Sequence, residues 1–306
     1  MATQSAATPE DVDDKMTVDN EDDFENASVI AKSNALATDG ATCESARSRE
    51  VDNQDHFCVQ MVLKRKDYIK IVCISDTHNG HNKANFDRRM KRMQGDILIH
   101  AGDFGEDGSK TEVNNAFRWL CSLDNFKHKI FISGNMDGIG LEKRNLGKKN
   151  QKDREFYSKK NNVTYLENDH CVVEGLKIYG CPYTPKFVGG FQYQRQSSDA
   201  RILWKNIPED CDILVSHGPP AGILDKSSRG SHVGCADLRD AISLRPSLKA
   251  VVFGHVHHSY GFRQINKTWF INAAQYNGIY SDDNENTPIE IFVLRDDNTI
   301  HHVIRS

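Results

Sequence analysis

From residue 69 onward the chain repeats one pattern: a short apolar run rich in β-branched residues, a loop carrying Asp, His or Gly, then a stretch with helical spacing. IKIVCI (69–74) leads into SDTHNGH, DILIHAG (96–102) into DFGEDG, and IFISG (130–134) into NMDG. Such runs predict buried strands. The intervening stretches 84–94 and 111–123 predict helices; in the second, Val113, Phe117, Leu120 and Cys121 share one face. Strand–helix alternation of this kind predicts a largely parallel sheet with right-handed crossovers. VTYLE (163–167), CVVEG (171–175) and LKIYGCPY (176–183) follow with a closer, hairpin-like rhythm set by Asp169 and Gly175. A helix at 197–206, the strand CDILVS (211–216), a helix at 236–244 and the strand AVVFG (250–254) restore the alternation, and WFINAA (269–274) and PIEIFVL (288–294) close it as strands. The expected fold class is α/β. With neither an internal repeat nor a linker after residue 65, one catalytic-size domain is expected over residues 66–306.

Charge changes the picture at one end. Residues 1–60 carry 14 Asp/Glu against 4 Lys/Arg, so the remainder of the chain is slightly basic. The segment 1–65 is rich in Ala, Ser, Thr, Asp and Asn and poor in aromatics. It cannot bury enough apolar surface to offset its ordering entropy, and an acidic, disordered N-terminal tail is expected. The tail is a plain solvated leader, or else a regulatory or docking segment for a protein partner, or an electrostatic cover for the basic domain. No basic stretch followed by an apolar core opens the chain, and no apolar run reaches the roughly 18 residues that span a bilayer. Ala2 excludes myristoylation and the ending HHVIRS is not a prenylation box. The eight cysteines are scattered without CxxC spacing. They are expected to be reduced, and the protein cytoplasmic, without a membrane partner.

The polar residues just beyond the strands carry the candidate chemistry. Asp76 and His78 follow IVCIS, Asp103 follows LIHAG, Asn135 and Asp137 follow FISG, His217 follows ILVS, and His255 and His257 follow VVFG. All leave the C-terminal ends of strands, where α/β folds hold their ligands. Asp-x-His and His-x-His each offer two ligands from one loop. Two or three carboxylates, four histidines and an amide exceed the first shell of a single zinc and fit two ions sharing a carboxylate. Oxygen mixed with imidazole nitrogen suits Mn, Fe, Zn or Co better than Ca.

Asp76-Thr-His78, Gly102-Asp103, Gly134-Asn135-x-Asp137, His217 and Gly254-His255-Val256-His257 together resemble the signature of the calcineurin-like metallophosphoesterase superfamily. VCISDTHN, GDILIHAGDF, KIYGCPYTP, CDILVSHGPP and VGCADL are similar to its metallophosphoesterase-domain-containing branch of small, class III-type phosphodiesterases. The resemblance spans roughly residues 68–296. It implies a four-layer α/β/β/α sandwich and two divalent metal ions, with Mn expected to serve best in vitro. By the family pattern Asp76, His78 and His257 hold one ion, Asn135, His217 and His255 the other, and Asp103 bridges them. Asp103, Asn135, Asp137 and His217 are the expected catalytic residues, and Asn79, Gly218 and Arg195 the expected substrate contacts. His258 has no family role and is expected to be a solvated neighbour.

One position departs from the pattern. The superfamily's third motif commonly reads Gly-Asn-His-Asp/Glu, whereas GNMD stands at 134–137. Met136 has no proton to give a leaving group, and a missing general acid costs a factor of about 10² to 10⁴. The expectation is a slow phosphodiesterase, with hydroxide generated between two metals attacking small phosphodiester or nucleotide-type substrates that have good leaving groups. His81, in DTHNGH, is either a plain loop histidine or a substitute proton donor. The alternative is a metal-binding, weakly active or inactive protein using the same fold as an interaction surface. The stretch 142–162 carries eight Lys/Arg against three Asp/Glu, a solvated helix face or an attractor of anionic substrate. No aromatic interleaving there supports sequence-specific nucleic-acid binding, while Phe191, Tyr193 and Arg195 in GGFQYQR offer a nucleotide grip or ordinary loop packing.

Overall fold

The fold, a computed structural model, describes residues 67–141, 162–276 and 286–306. The acidic tail and, except for Asn162, the basic stretch 142–162 lie outside the described residues. Two mixed sheets of six strands face one another. The first contains β1 (Tyr68–Ile74), β2 (Gly95–His100), β3 (Phe126–Phe131), β4 (Val163–Tyr165), β13 (Ile289–Leu294) and β14 (Ile300–Arg305), in the order β14-β13-β1-β2-β3-β4. The second contains β5 (Asp169–Val173), β6 (Leu176–Cys181), β9 (Ile213–Ser216), β10 (Ala250–Phe253), β11 (Gly261–Ile265) and β12 (Thr268–Asn272), in the order β11-β12-β10-β9-β6-β5. Four adjacent strands of each sheet run parallel, β1 to β4 and β6-β9-β10-β12; antiparallel β13 and β14 extend the first sheet beyond β1, and antiparallel β11 and β5 edge the second. A two-stranded ribbon pairs β7 (Thr184–Pro185) with β8 (Gln192–Tyr193).

Burial on both faces explains the unbroken apolar runs. Alternate residues of each strand serve different layers. Ile71, Ile97, Ile99 and Ile130 meet Ile178, Ile213, Val215, Val252 and Ile271 in the core between the sheets. Val72, Leu98 and Phe131 point the other way, onto Phe86 and Met90 of helix α1 (Ala84–Arg92) and Val113, Trp119 and Leu120 of α2 (Lys110–Ser122). On the far side Leu214, Val251 and Phe253 pack on Trp204 of α4 (Ser198–Lys205) and Leu238 and Ile242 of α5 (Ala236–Ser243). The result is the expected α/β/β/α order. Ser109 caps α2 and Ser197 caps α4, each accepting from an amide of the first turn.

The structure differs from the sequence pattern in places. β11 and β14, with charged and polar residues at half their positions, gave no clean apolar run, and helix α3 (Asn135–Leu141) lay hidden in the third motif. β3 begins four residues before the apolar run IFISG, because its edge residues Lys127 and His128 are partly exposed and polar.

Candidate metal centre

Both sheets feed the site, rather than one sheet edge. Asp76, Asp103 and Asn135 leave β1, β2 and β3 of the first sheet; His217, His255 and His257 leave β9 and β10 of the second. The strand ends are joined where Ser75 bridges Ala274 and donates its amide to the Ala273 carbonyl at 2.9 Å. Four of the residues turn sharply as they leave the sheet. Asp76 has φ 50°, His78 41°, Asp103 52° and His255 65°, all in the left-handed region that non-glycine residues avoid at a cost of about 1–2 kcal/mol each. Cross-links between the loops hold these turns: the Asp76 amide donates to the Gly102 carbonyl (2.8 Å) and the His78 amide to that of Asp103 (3.1 Å).

The ligand atoms converge as two groups, Asp76–His78–His257 and Asp103–His217–His255, each with its donor atoms within 4.8 Å of one another. In the first, His257 Nε2 lies 3.1 Å from Asp76 Oδ1 and 3.4 Å from His78 Nε2. The Asp76 carboxylate also accepts the His255 amide, at 3.0 and 2.9 Å from its two oxygens. Asp76 thereby fixes the His-x-His loop that supplies both groups. In the second, His217 Nε2 lies 3.2 Å from Asp103 Oδ2 and 3.0 Å from Asn135 Oδ1. His217 Nδ1 is 2.9 Å from the Ala101 carbonyl, which can only accept, so it carries a proton and Nε2 is the nitrogen left to bind an ion. Gly134 and Gly254 let this happen: a Cβ on Gly134 would lie 2.2 Å from Asp103 Oδ1, and one on Gly254 would lie 1.9 Å from Asp76 Oδ2.

The electrostatics follow from packing charge into a dry site. Burial opposes the ionised form of Asp76, yet the hydrogen bond and charge of His257, with His217 and His78 behind, hold the carboxyl far below its ordinary range. Asp103 is likewise buried, and His217 overrides that burial and holds it low. Burial opposes charge on His217, but Asp103 and then Asp76 push its imidazole up to about 10. Burial and then His217 bring His255 down to about 4, outweighing the opposing pull of Asp103 and Asp76. A dense cluster of carboxylates and imidazoles is the donor set a divalent metal would neutralise.

The other expected residues are placed less directly. Asp137 is fully buried behind the ligands, with Oδ2 accepting from the amides of Gly134 (2.8 Å) and Phe104 (3.4 Å) and Oδ1 from Gly105 (2.9 Å). It ties the Asp103 and Asn135 loops together through backbone amides. Burial and then the Asp103 charge push its carboxyl well above the usual range, against those amides. The Met136 amide donates to Asp103 Oδ1 at 2.8 Å, so this position serves the site through its backbone. The Asn79 side chain is committed to Glu112 on α2. Gly218 and Arg195 line a cleft beside the ligands, the Arg195 guanidinium donating to the carbonyls of Val233 (2.7 Å) and Gly234 (2.9 Å). His258 is exposed at the same cleft. His81 is buried against Trp119 with both ring nitrogens unpaired, and burial lowers it to about 4. A neutral imidazole of that kind is a poor proton donor.

Three positions were not legible. Tyr276 packs edge-on to His78 and His257 (5.4 and 5.1 Å between ring centroids). Asn272 holds the His-x-His loop through the Val256 carbonyl at 2.9 Å. His100, brought down to about 3 by burial, braces the Asp76 loop through Thr77 at 3.0 Å. Only the strand-end position of Asn272 and His100 could have signalled them.

The family model for calcineurin-like phosphoesterases matches residues 69–259. Metallophosphoesterase domain-containing protein 1 of Homo sapiens is 34% identical over 224 residues, covering 68% of this chain and 66% of that protein. A UPF0046 protein of Caenorhabditis elegans is 34% identical over 219 residues, covering 69% of this chain and 71% of that protein. The aligned region thus spans just under two thirds of the human relative's length. One solved structure superposes with TM-score 0.52 over 78% of this chain and 99% of its own at 15% identity, a likeness of fold alone.

Proposed function

The chain belongs to the calcineurin-like phosphoesterase family, and from that premise we propose that it is a metal-dependent phosphodiesterase acting slowly on small phosphoesters. One observation carries the reading: two three-residue ligand groups, one of them with its histidine tautomer fixed by the Ala101 carbonyl. Asp76, His78 and His257 would hold one divalent ion, Asn135, His217 and His255 a second, and Asp103 would lie between them. When bound, such ions neutralise phosphoryl oxygens and bring the pKa of water towards neutrality. Mn, Fe, Zn and Co all suit this donor set, with Mn the first choice in vitro.

The chain's own residues then set what the site can do. Ala101 orients His217, Asp137 holds the loops of Asp103 and Asn135 in register, and Gly218 leaves room at the cleft. Lys186 and Arg195 at its rim favour an anionic substrate. Met136 offers no proton to a departing oxygen, so esters with stable leaving groups are favoured. Cys73, Cys181, Cys211 and Cys235 are buried and unpaired, which suits a reducing compartment such as the cytoplasm. No described helix is long and apolar enough to cross a membrane.

Met136 also favours a second reading, a metal-loaded but nearly inactive interaction protein with the acidic tail as the partner-binding element. One experiment separates the two: chelated protein is reloaded with Mn²⁺, bound metal is counted, and hydrolysis of bis-p-nitrophenyl phosphate is followed beside Asp103→Asn. Metal-dependent turnover lost in the variant supports the phosphodiesterase. Two ions bound without turnover leaves the second reading, and failure to bind metal refutes both.

A further inference from the structure

A cleft of about 280 Å³ opens beside the ligand groups, with Lys186, Phe187, Arg195, Gly218, His255 and His257 among its walls. Phe187 is out of place there as a structural residue. Its side chain is 75% exposed, the highest value among the exposed large apolar side chains. A ring on a loose loop would fold down onto apolar neighbours. Here the backbone that carries the ring is fastened. The Lys186 amide donates to the Tyr193 carbonyl (2.8 Å) and the Phe187 amide lies 3.3 Å from Gln192 Oε1. Asn135 Nδ2 donates to the Val188 carbonyl (3.0 Å), and the Gly190 amide donates to the Asn135 carbonyl (2.8 Å). The segment is therefore registered to Asn135, which faces His217.

The Phe187 ring stands 6.1 Å from that of His255, at 84° to it. A flat apolar face is thus held at a set distance from the second ligand group. Lys186 precedes it, and Arg195 is fixed on the cleft wall by two backbone carbonyls. An anion with a planar, apolar body matches both features: the cations take the charge and the ring takes the plane.

We propose that Phe187 is the platform on which a planar aromatic group of the phosphoester rests, making the site selective for aryl- or nucleobase-bearing esters over aliphatic ones. This rests on the phosphoester reading above. The test needs no turnover. Phenylphosphonate and methylphosphonate share a headgroup and resist hydrolysis, and each is titrated calorimetrically into the Mn²⁺-loaded protein. The phenyl compound should bind about tenfold more tightly, as a stacked ring contributes elsewhere. Because both ligands meet the same protein, their affinity ratio cancels any change in metal loading between variants. In Phe187→Ala and Phe187→Leu the ratio should collapse towards one, whereas Phe187→Tyr should keep it. A ratio that survives in Phe187→Ala, or is full in Phe187→Leu, overturns the platform. Methylphosphonate binding with no phenyl preference in the unaltered protein overturns the platform alone, and binding of neither phosphonate overturns the phosphoester reading with it.

Discussion

Asp137→Asn tests whether this carboxylate acts on substrate or only holds the site together. The side chain is fully buried, and its two oxygens serve three amides at 2.8, 2.9 and 3.4 Å. An amide of the same shape keeps one acceptor. Placed where Oδ2 now sits, it retains Gly134 and Phe104 but turns an N–H towards the buried Gly105 amide. Losing a hydrogen bond to a charged acceptor and leaving a buried donor unpaired costs about 2–4 kcal/mol. Burial and the repulsion from Asp103, which push the Asp137 carboxyl upward, are relieved in the amide and offset part of that. About 2 kcal/mol of net destabilisation remains, which lowers Tm by roughly 4–8 °C for a domain of this size. The loops of Asp103 and Asn135 lose their common anchor, so metal affinity should fall together with Tm. Calorimetric unfolding and metal titration of the same preparation read both. Unchanged Tm and full metal binding with turnover abolished would refute the positioning role and make Asp137 a direct participant.

Metal entry should release at least one proton near pH 7.5, because His217, pushed up to about 10, must give up its Nε2 proton to bind and His257, also raised by Asp76, adds to the release; titrations in buffers of different ionisation enthalpy count it, and no release refutes the assignment. The sign is fixed: raised above its unfolded value, His217 stabilises the metal-free fold fully below about pH 6.5, and this contribution disappears as pH rises through about 10. His81→Leu should leave turnover unaltered and raise stability by roughly 0.5–1 kcal/mol, since an unpaired buried ring is removed; a tenfold loss of turnover would make His81 the acid. Asp96 is opposed by burial but held low by Lys127 and the Lys70 amide, so its contribution is present above the unfolded carboxylate value and lost as pH falls through the folded one. Asp96→Asn should therefore flatten the acid limb of the Tm–pH curve, and an unchanged limb would exclude the contact. Met136→His should raise turnover of esters with poor leaving groups; no gain would place this side chain away from the leaving oxygen.

The residues of the two ligand groups could be read in the sequence because strands buried on both faces announce themselves as unbroken apolar runs. IKIVCIS, DILIHAG, CDILVS and AVVFG are followed directly by Asp76, Asp103, His217 and His255. The helices with one apolar stripe were legible for the same reason. β11 and β14 were not, because strands flanking the sheets alternate their faces over too few residues. Nor was α3, whose sequence NMDGIGL carries two glycines that disfavour a helix.

Local sequence thus determined which residues could bind metal and which strands would present them. Periodicity alone did not say how they divide, which only the family resemblance implied. That His255 joins Asp103 and His217 while His257 joins Asp76 and His78 depends on two sheets abutting at Ser75 and Ala274. Asp137 reads as one more catalytic carboxylate in GNMD, and only its three amide partners show it facing inward. Nothing in the sequence singled out Phe187, and it is the fastening of its segment to Asn135 that places its ring beside that of His255. Periodicity is a property of neighbours along the chain. Pairing across two sheets is a property of distances between residues far apart in it, and that is decided when the core between the sheets closes.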